Sequence, residues 1–403
     1  MSKKPYPGLI LFATLTIQAL VAMALITLPV VAPVVAQSTG TSAAYVGAYV
    51  ALVYVAAMTS SIMGGPYVTR LGALRVSQIC LGFTTVGLLL CAIPNMWAIA
   101  LGALFIGLGY GPVTPASSHL LIKTTPPQRL ALVFSIKQTG VPVGGMMAGM
   151  IVPSLEVVIG WQMAFVVVAV MCVATLLLVS PLRRQLDDDR SPESRMSLRR
   201  SLIDPVRLVV SVKNLRILAF VSFLFSVCQL SVTTYLVTFL YEDLGWTLIA
   251  AGVALTVAQA AGVGGRILWG WLADKWFGAG AMLIVVGVLL GSAAIGLALL
   301  TENSVHWLLY LILIVIGSTA IGWNGVYLAE VARQAPPGKA GMATGGSLGF
   351  TFMGVLFGPP LFGVAATVFG SYGVSYALLF IPMIGTVLLL WSRRYRQAWL
   401  GVK

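Results

Sequence analysis

Charge is scarce in this chain. Only 9% of its 403 residues are Asp, Glu, Lys or Arg, against about 25% in an ordinary soluble domain. So small a complement cannot cover a water-facing surface, which excludes a soluble enzyme, a secreted module and a disordered chain. Histidine is rarer still. His119 and His306 are the only two, and neither has an acidic or Cys neighbour at ligand or catalytic spacing. Metal-centred and nucleophile–base chemistry therefore have no footing, so the expectation is a non-enzyme with no cofactor and no metal. The four cysteines, Cys80, Cys91, Cys172 and Cys228, all fall within apolar runs without CxxC spacing. They read as small core residues and not as a disulfide framework. A phosphate-cradling GxxxxGK followed by Ser or Thr is absent, which argues against an ATP-driven pump. Sustained period-two alternation is absent too, which disfavours a membrane β-barrel.

What the chain has is apolar length. Hydrophobic residues make up 59% of it, and about 20 in succession let a helix cross about 30 Å of hydrocarbon. Twelve segments qualify: 8–36, 43–64, 76–93, 96–122, 130–153, 161–179, 215–240, 248–270, 279–300, 305–328, 342–366 and 372–391. The expected class is an all-α integral protein, multi-pass in the cell's inner (plasma) membrane. The first segment, with Lys3-Lys4 before it and Val34 to Ala36 at its end, mimics a signal peptide. It is too long for one and eleven spans follow, so it is read as helix 1. Of 24 Lys and Arg, 22 lie in the termini, in the loops after even-numbered helices or in the stretch around 183–216. The loops after odd-numbered helices hold only Glu156, Glu242, Asp243 and Glu302. By the positive-inside rule both termini are cytoplasmic. The net charge of +13 is thus a topology signal with an affinity for anionic membrane lipid, not a nucleic-acid footprint.

One polar stretch, 180–213, mixes both signs with Ser and Pro and cannot bury a core; it reads as a cytoplasmic linker, with room for a short surface helix. It separates six spans (1–179) from six (214–403). Three echoes support an internal duplication. Gly65 to Gly72 (GPYVTRLG) matches Gly270 to Gly278 (GWLADKWFG), and Gly140 to Gly145 (GVPVGG) matches Gly358 to Gly363 (GPPLFG). Gly160-Trp161 with Ala164-Phe165 matches Gly370-Ser371-Tyr372 with Tyr376-Ala377.

With these elements the chain resembles the major facilitator superfamily of secondary transporters over its whole length. The most specific is Gly270-Trp271-Leu272-Ala273-Asp274-Lys275, similar to that superfamily's loop motif between helices 8 and 9. Its partner after helix 2 keeps Arg70 and Gly72 but has Thr69 where the acidic residue usually stands. The Arg common in helix 4 is missing. The resemblance implies two six-helix bundles that rock about a central site, a monomer, and a gating role for Arg70, Gly72, Gly270, Asp274 and Lys275.

Two cations remain inside the spans: Lys137 in helix 5 and Arg266 in helix 8. A charge near the hydrocarbon centre costs about 2.5–3.5 kcal/mol on insertion scales. The span map places no Asp or Glu inside any helix to offset it, and Glu330 lies at a helix end. Lys137, Gly140 and Gly144 share one helical face; Gln259, Gly262, Arg266 and Gly270 share another, and glycine lets membrane helices approach closely. In the resembled fold the two cations flank the central cavity. The expectation is an anionic substrate held by Lys137 and Arg266 between the bundles. Snorkelling of either side chain to the cytoplasmic surface is the competing reading. Gly265 to Gly270 (GRILWG) is similar to helix 8 of the monocarboxylate and oxalate-formate transporter families, although Gly262 stands where an acidic partner is found there. Further candidate substrate contacts are Gln18, Tyr54, Tyr110, Gln138, Gln229, Gln259, Trp323 and Asn324. The expected function is secondary transport of a small organic anion, most simply a monocarboxylate, by proton symport or anion exchange. The alternatives are a proton-linked exporter of hydrophobic compounds and an inorganic anion porter.

Overall fold

The computed structural model describes residues 7–126, 129–190, 198–337 and 339–391, and every regular element among them is helical. Twelve helices are long and apolar enough to cross a membrane. They are α1 (Pro7–Val30), α2 (Ala43–Ser61), α3 (Ala73–Cys91), α4 (Met96–Thr124), α5 (Ile136–Ile159), α6 (Trp161–Leu186), α7 (Lys213–Glu242), α8 (Leu248–Phe277), α9 (Ala279–Ala298), α10 (Trp307–Gln334), α11 (Met342–Phe369) and α12 (Tyr372–Trp391). Helix is the only open-ended structure that satisfies every backbone N–H and C=O within one segment, which lipid demands. The outward faces are apolar: Trp97, Val158, Leu178 and Val368 are all more than 70% exposed, a skin that water would not tolerate.

The chain forms two compact units, residues 1–43 with 52–198 and residues 44–51 with 199–403. In the first, α1 packs on α5, and α3 packs on α4 and α6. Every residue of α1 from Ile17 to Val30 is buried, as befits a helix that is apolar all round. In the second, α7 packs on α11, α8 on α10 and α9 on α12. The expected linker is divided. Its start, 180–190, is helical as far as Leu186 and belongs to the first unit, while Leu198–Ser211 is a helix of which Arg199 onward belongs to the second. Residues 191–197 lie outside the described ones.

The duplication is visible as repeated geometry. Gly72 before α3 and Gly278 before α9 both take left-handed φ (+94° and +73°) with extended ψ (149° and 150°). These are the last residues of the two loops matched in sequence. Gly160 and Gly370, at the α5–α6 and α11–α12 turns, also have positive φ. The GVPVGG and GPPLFG segments face matching seams. Gly140 and Gly144 let α5 meet α1, against Gln18 and the Ala19 carbonyl, and Gly354 and Gly358 let α11 meet α7, against the Phe223 carbonyl and Val227. Gly144 and Gly354 are 210 residues apart. Gly107 in α4 and Gly317 in α10, again 210 apart, press on the carbonyls of Val53 and Ala258.

Helix edges also shift from expectation. Helix 5 continues to Ile159, so Glu156 lies in its last turn and not in a loop. Glu242 and Glu330 likewise fall within helical ends, and Glu330 is fully buried.

Candidate functional site

Among the interrupted spans, α4 and α10 break at matching places along their length. In α4 the helix Met96–Tyr110 stops at Gly111-Pro112 and resumes as Val113–Thr124; Pro112 has no N–H to give. In α10 the helix His306–Ala320 stops and Asn324–Gln334 follows. Broken helices at corresponding places in two repeats are a pointer to a binding site, because freed backbone and polar side chains collect there.

In the first unit, the break in α4 meets Lys137. That side chain is 1% exposed, and its Nζ donates to Thr114 Oγ1 over 3.5 Å. The Thr114 hydroxyl donates in turn to Gln18 Oε1 at 3.4 Å. Gln18 is buried and fits because Gly140 beside it has no side chain. Both bonds are at the long limit. No carboxylate among the described residues lies within salt-bridge distance of Lys137. Tyr54 and Tyr110 meet edge to face, ring centroids 5.9 Å apart. Gln138 is exposed while Lys137 is buried, since neighbours on a helix point about 100° apart.

In the second unit, Arg266 is half-buried and its Nε donates to the Ile321 carbonyl at 3.2 Å, a group released by the break in α10. Trp269 Nε1 donates to the Ser318 carbonyl at 2.8 Å. Glycines seat this seam: Gly262 against Ile321 and Gly265 against Ser318. Gln259 is buried on α8. Trp323 Nε1 donates to Gln229 Oε1 at 2.9 Å, and Asn324 Nδ2 donates to the same oxygen at 3.3 Å.

At the basic end of the first unit, a carboxylate from the far side of the sequence caps α3. Asp187 is buried over Gly72 and accepts from the Leu74 and Arg75 backbone N–H groups at 2.8 and 3.0 Å, a carboxylate at the positive start of α3. Lys123 binds Asp188, Asp189 and the Leu186 carbonyl, and His119 pairs with Asp189 at 2.8 Å. Arg70 is exposed at the end of the helix before Gly72. At the end of α8, Asp274 is exposed and Lys275 lies over the rings of Trp271 and Trp276, 4.9 and 5.2 Å from their centroids. Glu330 accepts from Arg333 at 2.8 and 2.9 Å and from Gln334 at 2.8 Å.

The aspartate clasp has a pH signature. Lys123 holds Asp188 below the usual carboxylate range. Burial pulls Asp189 upward, but Lys123 and His119 outweigh it and keep it low. Groups depressed in the folded state lend stability above their ordinary pKa, about 4, and lose it as pH falls through the depressed value. Asp187 runs the other way, because burial raises it against the pull of two backbone N–H groups and Arg183. Its share weakens as pH rises through the raised value. Acidification from pH 5 to 3 is therefore expected to free residues 188–190 before 187 lets go of α3. Amide exchange across 183–190, corrected for intrinsic rates, checks this; unchanged protection over that range would refute it.

The structure thus gathers Lys137 and Gln18 around a residue that sequence reading missed, Thr114. Its one signal was its place between Pro112 and Pro115. It also gathers Gln229, Trp323 and Asn324, and Tyr54 with Tyr110, while Arg266 is engaged at Ile321.

A family model for the Major Facilitator Superfamily matches residues 14–346. An uncharacterised MFS-type transporter of Mycobacterium tuberculosis is 29% identical over 274 residues, 68% of this chain and 59% of its own; the match thus spans about three-fifths of that relative's length. The benzoate transport protein of Acinetobacter baylyi is 24% identical over 72% of this chain and 68% of its own. The putative niacin/nicotinamide transporter of Bacillus subtilis is 24% identical over 81% of each. Among solved structures, a bacterial homolog of the human lysosomal transporter Spinster, inward-facing and unoccupied, superposes with a TM-score of 0.74 at 16% identity, covering 96% of this chain and 95% of its own.

Proposed function

The chain belongs to the Major Facilitator Superfamily, and from that premise we propose that it carries a small organic anion, most simply a monocarboxylate, by alternating access. One observation carries this reading: Lys137 is 1% exposed with no described carboxylate within reach. An ammonium so buried costs several kcal/mol unless a counter-ion arrives, and a substrate carboxylate is such a counter-ion. The ammonium donates to Thr114, whose hydroxyl donates on to Gln18. Arg266, whose Nε donates to the Ile321 carbonyl, is the second candidate cation. The names of two relatives, for benzoate and for niacin/nicotinamide, support a small aromatic cargo. Coupling is to protons or to a counter-moving anion.

A thermal-shift series on the detergent-purified protein tests the reading. Benzoate is expected to raise the unfolding temperature in step with the logarithm of its concentration, as a ligand of the folded state does. Glucose and tetraphenylphosphonium are expected to leave it unchanged. A rise with tetraphenylphosphonium and none with benzoate would replace the anion carrier by an exporter of apolar cations.

A further inference from the structure

A polar recess lies at the basic end of the first unit, with none of the candidate cargo contacts in its lining. It measures about 540 Å³ and is lined by Ser180, Arg183, Arg184, Asp187, Asp188 and Arg190, a size within the range of about 300–1,000 Å³ usual for small-molecule sites. The turn that carries it is pinned to α3 at both ends. Gln78 Nε2 donates to Ser180 Oγ at 2.7 Å, and Asp187 accepts from the Leu74 and Arg75 N–H groups. Lys123 Nζ donates to the Leu186 carbonyl at 2.9 Å. The recess is therefore held in shape by contacts that its arginines do not make. Its carboxylates are both engaged, Asp187 at the start of α3 and Asp188 with Lys123. Its guanidiniums are not. Arg183 is half-buried and bears on Asp187 through space, but none of Arg183, Arg184 and Arg190 forms an ion pair with a carboxylate among the described residues.

Three guanidiniums around one recess match the oxygens of a phosphate, which their planar forks grip in pairs. The neighbouring surface names the source of that phosphate. Val170, Val173 and Leu177 of α6 are exposed and apolar at helical spacing. Arg184 follows Leu177 by seven residues, two turns and about 10 Å further on. The positive-inside rule puts this end of the unit at the cytoplasmic leaflet. A lipid whose chains lie along this face of α6 brings its headgroup level with the recess. We propose that the recess binds the phosphate of an anionic phospholipid, held by Arg183, Arg184 and Arg190 while the acyl chains follow Val170 to Leu177. An anionic headgroup fits better than a zwitterionic one, because the two carboxylates that could receive an ammonium already have partners.

The whole chain, purified in a neutral detergent and titrated with dioleoyl phosphatidylglycerol, tests the site by native mass spectrometry and by unfolding temperature. Phosphatidylglycerol is expected to bind and to raise the unfolding temperature. Phosphatidylcholine of the same chains, whose ammonium offsets the phosphate, is expected to bind more weakly by about tenfold or more, and inorganic phosphate is expected to do neither. An arginine facing an anionic lipid surface is worth about fivefold in affinity. Arg184→Gln and Arg190→Gln, both at exposed positions, are therefore expected to weaken phosphatidylglycerol about fivefold singly and about 25-fold together. Arg129→Gln removes the same charge from an exposed position of the same unit outside the recess, and is expected to change the affinity by less than about twofold. Should the double variant fail to fold, the single substitutions still separate a site from a face. If Arg129→Gln costs as much as Arg184→Gln, the attraction belongs to the whole basic face and the recess is not a site. If inorganic phosphate raises the unfolding temperature and Arg184→Gln removes that rise, the recess takes a soluble phosphate and the lipid assignment falls. Equal affinity for phosphatidylcholine overturns it as well.

Discussion

Lys137→Met is expected to leave the protein more stable and unable to carry its substrate. The wild-type ammonium has 1% exposure and one long bond to a threonine hydroxyl. Methionine is of similar length and apolar, so it fills the same space without a charge to desolvate. Replacing a poorly compensated buried charge by a fitting apolar group stabilises by about 1–4 kcal/mol where it has been measured, and the ligand-free unfolding temperature in detergent should rise. The carboxylate loses its counter-charge at the same stroke. Removing one partner of a buried charge pair costs about 2–5 kcal/mol of binding, a loss of about 30-fold to several thousand-fold. The two effects have opposite signs, which separates this account from a structural one. A lysine that snorkels to the surface would, on replacement, lower stability slightly and leave transport near wild type. Lys137→Arg keeps the charge but forces a planar fork into a site shaped for a point charge, so an intermediate uptake is expected.

How much of this could be read beforehand differs between the fold and the site. The spans were legible because length and apolarity are enough to specify a membrane helix. The halves were legible because Gly72 and Gly278 recur with the backbone shape that only glycine adopts easily. Lys137 announced itself as a charge in an apolar run. Its surroundings did not. Thr114 is one of many small hydroxyl residues in these helices, and it matters only because α4 breaks beside it. Arg266 was read as a substrate grip, but its bond to Ile321 depends on a freed carbonyl, and nothing in Ile321 itself signals one. Asp187 lay hidden in an acidic run that looked solvated; only the fold shows it reaching back 113 positions to Leu74. Sequence patterns thus locate elements and isolated charges, whereas partners across a long loop are decided by packing.

Two adjacent glycines test that packing most sharply. Gly264 has open space where a Cβ would go, and Gly265 has the Ser318 backbone within collision distance. Gly264→Ala is expected to be neutral or to stabilise by about 0.4–1 kcal/mol, because alanine loses less backbone entropy in a helix. Gly265→Ala must move α8 off α10, since the obstruction is a backbone carbonyl and not a pliable side chain. Overpacking of this kind costs about 1–3 kcal/mol, and here it carries further losses. Trp269 is drawn from the Ser318 carbonyl and Arg266 from the Ile321 carbonyl, bonds of 2.8 and 3.2 Å in the native seam, and each abandoned buried carbonyl adds about 1–3 kcal/mol. The expected outcome is a steep fall in unfolding temperature for Gly265→Ala alone, with uptake lost in whatever fraction stays folded because Arg266 has left its place at Ile321. Equal unfolding temperatures for the two variants would mean that the seam yields freely, and Arg266 would then be a mobile cation and not one aimed by the break in α10.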